Sequence, residues 1–216
     1  MTKLSFKNQT HEILESCGLK DEDSKSQNKF MKILPLILAP DPLLKKSSKP
    51  VEKIDDQLRD FMQNMVQTMY SESGVGLAAV QVGVLKRVVV IDVDYKVEEH
   101  EHHHHHHGEC GGVHVKNTNP RYFINPEILE FSTESSPYNE GCLSFPDMRS
   151  EVVRPSKVKI KFLDFLGKER IEEMDGLLST CIQHEIDHLN GITFVDHISR
   201  IKREMILNKM KKFKNR

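Results

Sequence analysis

Residues 1–30 show no sustained apolar period, and the chain begins to look foldable only at Met31. Beyond it, Leu58, Phe61, Met62, Met65, Val66 and Met69 recur at i, i+3, i+4 and i+7, the spacing of one helix face. Asp55 or Asp56 can cap that helix. Val88 to Val93 is a β-branched run that reads as a buried strand, and strand signals resume at Tyr122–Ile124, after Pro120. From Lys157 to Phe162 the chain alternates strictly: Val158, Ile160 and Phe162 fall on one face, and Lys157, Lys159 and Lys161 on the other. That is the pattern of a half-buried antiparallel strand, and Leu166–Gly167–Lys168 can turn the chain back. Asp175–Gly176 precedes a helical stretch from about Leu177 to Asn190, which Gly191 can terminate. A last helix begins near Ser199. The pattern predicts an α+β fold in which antiparallel sheets pack around a central helix, with a basic helix at the C-terminal end.

Composition narrows the classes. A length of 216 residues suits one domain with a real core. No run approaches 18 consecutive apolar residues, which excludes a transmembrane helix. Four cysteines without paired spacing argue against a disulfide scaffold. With 31 Lys+Arg against 32 Asp+Glu, wholesale nucleic-acid binding is not indicated. Basic charge is concentrated at one end, however: from Arg200 onward there are eight basic residues and one acid, Glu204.

Residues 1–30 lack the apolar core of a secretory signal and contain no Arg, so a transit peptide is not indicated either, which favours a cytoplasmic location. They are expected to form a flexible N-terminal extension to one domain spanning residues 31–216. A His/Gly-rich loop insertion is expected at 95–119, where His100 and His102 to His107 are followed by Gly108, Gly111 and Gly112. Its simplest reading is a solvated loop; metal scavenging and an inserted purification tag are the alternatives.

The sharpest chemical signal is His184–Glu185–Ile186–Asp187–His188. Two His at i, i+4 on a helix point the same way, so both imidazoles can bind one metal. The Glu beside the first His can then accept a proton from water. Leu177, Leu178, Cys181, Ile182 and Leu189 make the helix mostly apolar, and buried His and Glu need partners that a metal supplies. A third ligand must come from elsewhere. His197, nine residues past His188, is a weak candidate, and Cys142 in Glu140–Gly141–Cys142–Leu143–Ser144–Phe145–Pro146 is another. Cys17, Cys110 and Cys181 have ordinary readings. In Gly74–Val75–Gly76–Leu77–Ala78–Ala79–Val80–Gln81–Val82–Gly83, small residues allow close approach of another backbone. Gln81 in that apolar run is either a satisfied buried amide or a donor to a developing oxyanion.

Taken together and in order, GxGxAAxQ (Gly74–Gln81), EGCLS (Glu140–Ser144) and QHExDH (Gln183–His188) resemble peptide deformylase, with the longer EGCLS form and the helical tail similar to the bacterial type I class. The resemblance runs from about Met31 to the basic tail, excluding the insertion; Val80 stands where many members have Pro. It implies Cys142, His184 and His188 as ligands of one metal per chain, ferrous iron, with zinc, nickel or cobalt as substitutes. It implies Glu185 as general acid/base, with Gln81 and the Leu143 N–H as oxyanion donors. Gly74, Val75, Gly76, Glu140 and Arg149 are the implied substrate-binding residues, and Asp187 is expected to brace the helix against Arg154. The implied substrate is an N-formyl-methionyl nascent peptide, cleaved to formate and a free amine. In some relatives the basic helix docks on the ribosome, which its charge would suit. No membrane partner is expected, and a monomer is favoured. Two rival readings are an HExxH endopeptidase, which would cut unformylated peptides internally, and a metal-storage protein using the His tract, which would bind several metals without turnover.

Overall fold

A computed structural model describes residues 32–97 and 115–214. The N-terminal extension and most of the His/Gly-rich insertion lie outside the described residues. An antiparallel sheet of five strands carries the fold, in the order β1-β2-β5-β8-β9: β1 Gly76–Ala78, β2 Val88–Ile91, β5 Arg121–Phe131, β8 Lys157–Leu163 and β9 Glu169–Asp175. A two-stranded ribbon, β3 Lys96–Val97 with β4 Val115–Lys116, rises between β2 and β5. A separate hairpin joins β6 Ser135–Gly141 to β7 Arg149–Pro155. The helices are α1 Asp56–Ser71, α2 Gly176–Leu189 and α3 Arg200–Lys214.

The buried faces follow the sequence periodicity. Asp55 is the cap of α1, its carboxylate accepting from the Leu58 N–H at 3.1 Å. The methionines of α1 then pack with Val88 and Val90 on one side of the sheet. Val89 and Ile91 point the other way and pack with Ile182, Ile186 and Leu189 of α2. β2 is thus buried on both faces, which is why it reads as an unbroken β-branched run rather than an alternating one. It ends at Ile91, two residues short of the expected Val93, because the Asp92 carboxylate bonds the chain beyond it. In β8, Val158, Ile160 and Phe162 face α2, while Lys159 and Lys161 pair with Glu130 and Glu127 of β5.

β5 is far longer than the expected Tyr122–Ile124. It stays in the sheet through register shifts near Pro126, where Asn125 takes a positive φ of 53° and its side chain brackets Val51 through both N–H and C=O. At the end of α2, Gly191 adopts φ +75°, as its position past the helix predicts. A third apolar cluster, containing Phe145, Val152, Phe194, Val195 and Met210, seats α3. No described helix is long and apolar enough to cross a membrane.

Candidate metal centre and active site

Three chain segments converge. The α2 helix buries His184, Glu185 and His188 because it lies between the sheet and the β6–β7 hairpin; within the HExxH stretch only Asp187 is partly open. Cys142 sits immediately after β6, in a turn closed by the Phe145 N–H donating to its carbonyl at 2.8 Å. Its Sγ lies 3.1 Å from His188 Nε2. The ligand atoms of Cys142, His184 and His188 all fall within 4.8 Å of one another, and this is the one such trio among the described residues. His197 is not part of it: its Nε2 donates to Asp187 Oδ2 at 2.7 Å.

Behind the trio runs a buried ionic chain. His184 Nδ1 donates to Glu140 Oε2 at 2.7 Å, and Arg154 donates to both Glu140 oxygens, at 2.5 and 3.1 Å. A further Arg154 nitrogen donates to Asp187 Oδ2 at 2.8 Å, the bracing contact expected from sequence. Burial alone would raise the Glu140 pKa, but His184 and Arg154 outweigh it and hold the carboxyl far below its usual range. Glu140 lines the cleft, with both its oxygens engaged by His184 and Arg154 and only 3% of it exposed. Fixing the outer nitrogen of an imidazole in this way orients the inner one and sets its tautomer.

Glu185 is different. Burial pushes its carboxyl up to about 7, against the opposing pull of His184, and Glu140 nearby adds to the rise. Its Oε2 is buried and bonds to nothing among the described residues. A partnerless carboxylate oxygen beside a thiol and two imidazoles is costly on its own, and a metal with its water is the group that would satisfy it. The residues therefore fit a divalent metal.

The cleft has a volume of about 570 Å³, lined by Gly74, Val75 and Gly76 on one side and by Cys142, Leu143, Arg149, His184 and Glu185 elsewhere. Among the described residues β1 pairs only with β2, which leaves its other edge open there. Gly76 is required for contact: a Cβ there would stand 2.5 Å from Glu185 Oε1 and 2.6 Å from Cys181 Sγ. Gln81 is a buried amide engaged at both ends. Its Oε1 accepts from the Ala78 N–H at 2.8 Å, while its Nε2 donates toward Cys142 Sγ at 3.4 Å and Ser144 Oγ at 3.2 Å. The Ser144 contact, and the places of Leu177, Thr180 and Tyr138 in the cleft lining, are not legible in the sequence. Each depends on long-range packing that no local motif announces.

An HExxH helix set against an antiparallel sheet, with a thiol closing the donor trio beside an open strand edge, defines a class: metal-dependent hydrolases working on a peptide-like chain. The family model described as polypeptide deformylase matches residues 33–204. Peptide deformylase of Phenylobacterium zucineum is 46% identical over 182 residues, covering 84% of this chain and 97% of that one. That of Brucella suis biovar 1 is 48% identical, covering 84% and 94%. The crystal structure of peptide deformylase from Ehrlichia chaffeensis superimposes with a TM-score of 0.71 at 38% identity, covering 86% of this chain and 98% of that one. The chain belongs to the polypeptide deformylase family, hydrolases that remove N-formyl groups from nascent peptides.

Proposed function

We propose that this chain removes the formyl group from the N-terminal formyl-methionine of newly made proteins in the cytoplasm, releasing formate and a free amine. The observation that carries this reading is the buried, partnerless Glu185 oxygen set beside the Cys142–His184–His188 trio and under the free edge of β1. Cys142, His184 and His188 would hold one divalent metal, which when bound supplies the Lewis acidity that makes water nucleophilic near neutral pH. Ferrous iron follows from the family resemblance; a thiolate with two imidazoles would suit zinc as well.

Glu185, with its carboxyl raised to about 7, takes the proton of the attacking water and passes it to the departing amine. Gln81 Nε2, steadied by the Ala78 N–H on its other end, donates to the oxygen that gains charge, and the Leu143 N–H is the second donor. Gly74–Val75–Gly76 pairs with the peptide as an added strand, while Arg149 sits at the cleft wall along the peptide's path. Glu140 acts at one remove, by holding His184.

The test is formate release from a formyl-Met tripeptide, with the acetylated and free peptides as controls. Release from the formyl peptide alone, abolished in Glu185→Ala, is expected; internal cleavage of the free peptide would install the endopeptidase reading instead. A second reading concerns α3, whose Arg200, Lys202, Lys209, Lys211 and Lys212 are all exposed. We infer that it docks on ribosomal RNA phosphates. Co-sedimentation with ribosomes should weaken steeply with salt and with neutralisation of those five residues; salt-independent binding, or none, overturns it.

A further inference from the structure

Asp92, at the end of β2, is 1% exposed and accepts four hydrogen bonds. Tyr70 Oη of α1 and the Asn119 N–H each donate to Oδ2 at 2.6 Å; the Asp94 and Tyr95 N–H groups donate to Oδ1 at 3.0 and 3.2 Å. Both stems of the β3–β4 ribbon are thereby fixed to one carboxylate. The cluster also reaches the cleft. The Asp92 N–H donates to the Val75 carbonyl at 3.0 Å, and Tyr95 Oη donates to the Gly74 carbonyl at 3.0 Å. The Tyr95 ring stands edge-on to Tyr70, centroids 4.9 Å apart. On its other side the Gly74 N–H is tied to the Met69 carbonyl at the end of α1, at 2.9 Å. Burial and the nearby Asp92 raise the Tyr95 pKa, so its phenol remains a donor across the physiological range.

A trans peptide directs its N–H away from its C=O, so whatever holds the Gly74 carbonyl also aims the Val75 N–H. Building on the strand-addition reading above, we propose that Tyr95 is a positioning residue for the substrate backbone: through the Gly74 carbonyl it sets the Gly74–Val75 peptide plane against which the nascent chain pairs. Its effect falls on residues of the substrate beyond the formyl-methionine, because those are the ones a strand edge binds.

Tyr95→Phe keeps the ring and removes only the hydroxyl. For formyl-Met-Ala-Ser the KM should rise about 3- to 10-fold, the range of one hydrogen bond, with kcat nearly unchanged. For formyl-Met methyl ester, which offers no following peptide, KM should not move. Asp164→Ala, a destabilising change in a distant turn, should leave the ratio of the two KM values as in the wild type. Equal changes for both substrates, a change in kcat alone, or no change overturns the proposal. Wild-type protein that releases no formate defeats the functional reading instead. Slowed exchange of the Val75 amide on adding the tripeptide, weaker in Tyr95→Phe, then still supports the role of Tyr95; equal slowing in both, or none in either, overturns it.

Discussion

At Gly76 a single hydrogen is all the space allows, since any Cβ would meet Glu185 Oε1 and Cys181 Sγ well inside contact distance. Gly76→Ala should displace the carboxylate rather than unfold the chain, and a shift of this kind costs on the order of 10²-fold in kcat/KM. An unchanged rate in a variant with unaltered melting would refute the assigned closeness of strand and acid. Glu140→Gln tests the buried chain behind His184. Removing that charge should weaken metal binding about 10- to 100-fold, read as metal retained after dialysis against a graded chelator. The HExxH residues were legible in sequence because their geometry is local: one helix turn brings them together. Cys142 as third donor came through the family resemblance, and its 3.1 Å approach to His188 crosses 46 residues that no periodicity could bridge. Tyr95 carried no signal at all, since its significance lies in a carbonyl 21 residues earlier.

At the level of elements, legibility followed burial. α1, β8 and α2 announce themselves because each buries a regular face, and β2 because it is buried on both. β6 and β9 do not: β6 buries Glu140 alone, and β9, the last strand of the sheet, buries only Met174. Their ladders to β7 and β8 hold them extended, and such pairing leaves little pattern in their own residues. The β8–β9 connection shows how local chemistry fixes such a pair. Gly167 turns at φ +83°, and Asp164 accepts from the Leu166 and Lys168 N–H groups and from Arg170. Partial burial works against the Asp164 charge, but these donors prevail and hold its pKa below the usual value. Because the folded pKa is the lower one, the stabilisation is full above the unfolded value near 4 and fades as pH falls through the folded value. Asp164→Ala should therefore cost about 1 kcal/mol at pH 7, on the order of 3 °C in melting temperature, and the gap to wild type should close as the pH is taken below about 4. A gap that persists in acid would show that packing, not charge, is what the variant loses.

For the molecule as a whole, the three apolar clusters divide the labour: one lies under α1, one under α2, and one seats α3 against Phe145 and Phe194. Met210, fully buried, is the main peg of the last. Met210→Ala should cost about 2–5 kcal/mol, visible as a lower denaturation midpoint. The donor trio and its acid are assembled from all three regions, with Gln81 meeting Cys142 across 61 residues and Glu140 meeting His184 across 44. Such distant pairings close late when a chain folds. A partly formed copy, even one with its helices and hairpins in place, would hold the histidines without the thiol or the glycine edge. Catalysis should thus be the last property to return on refolding. Each copy, itself born on a ribosome, would have to finish its own folding before it could attend to any other newborn chain.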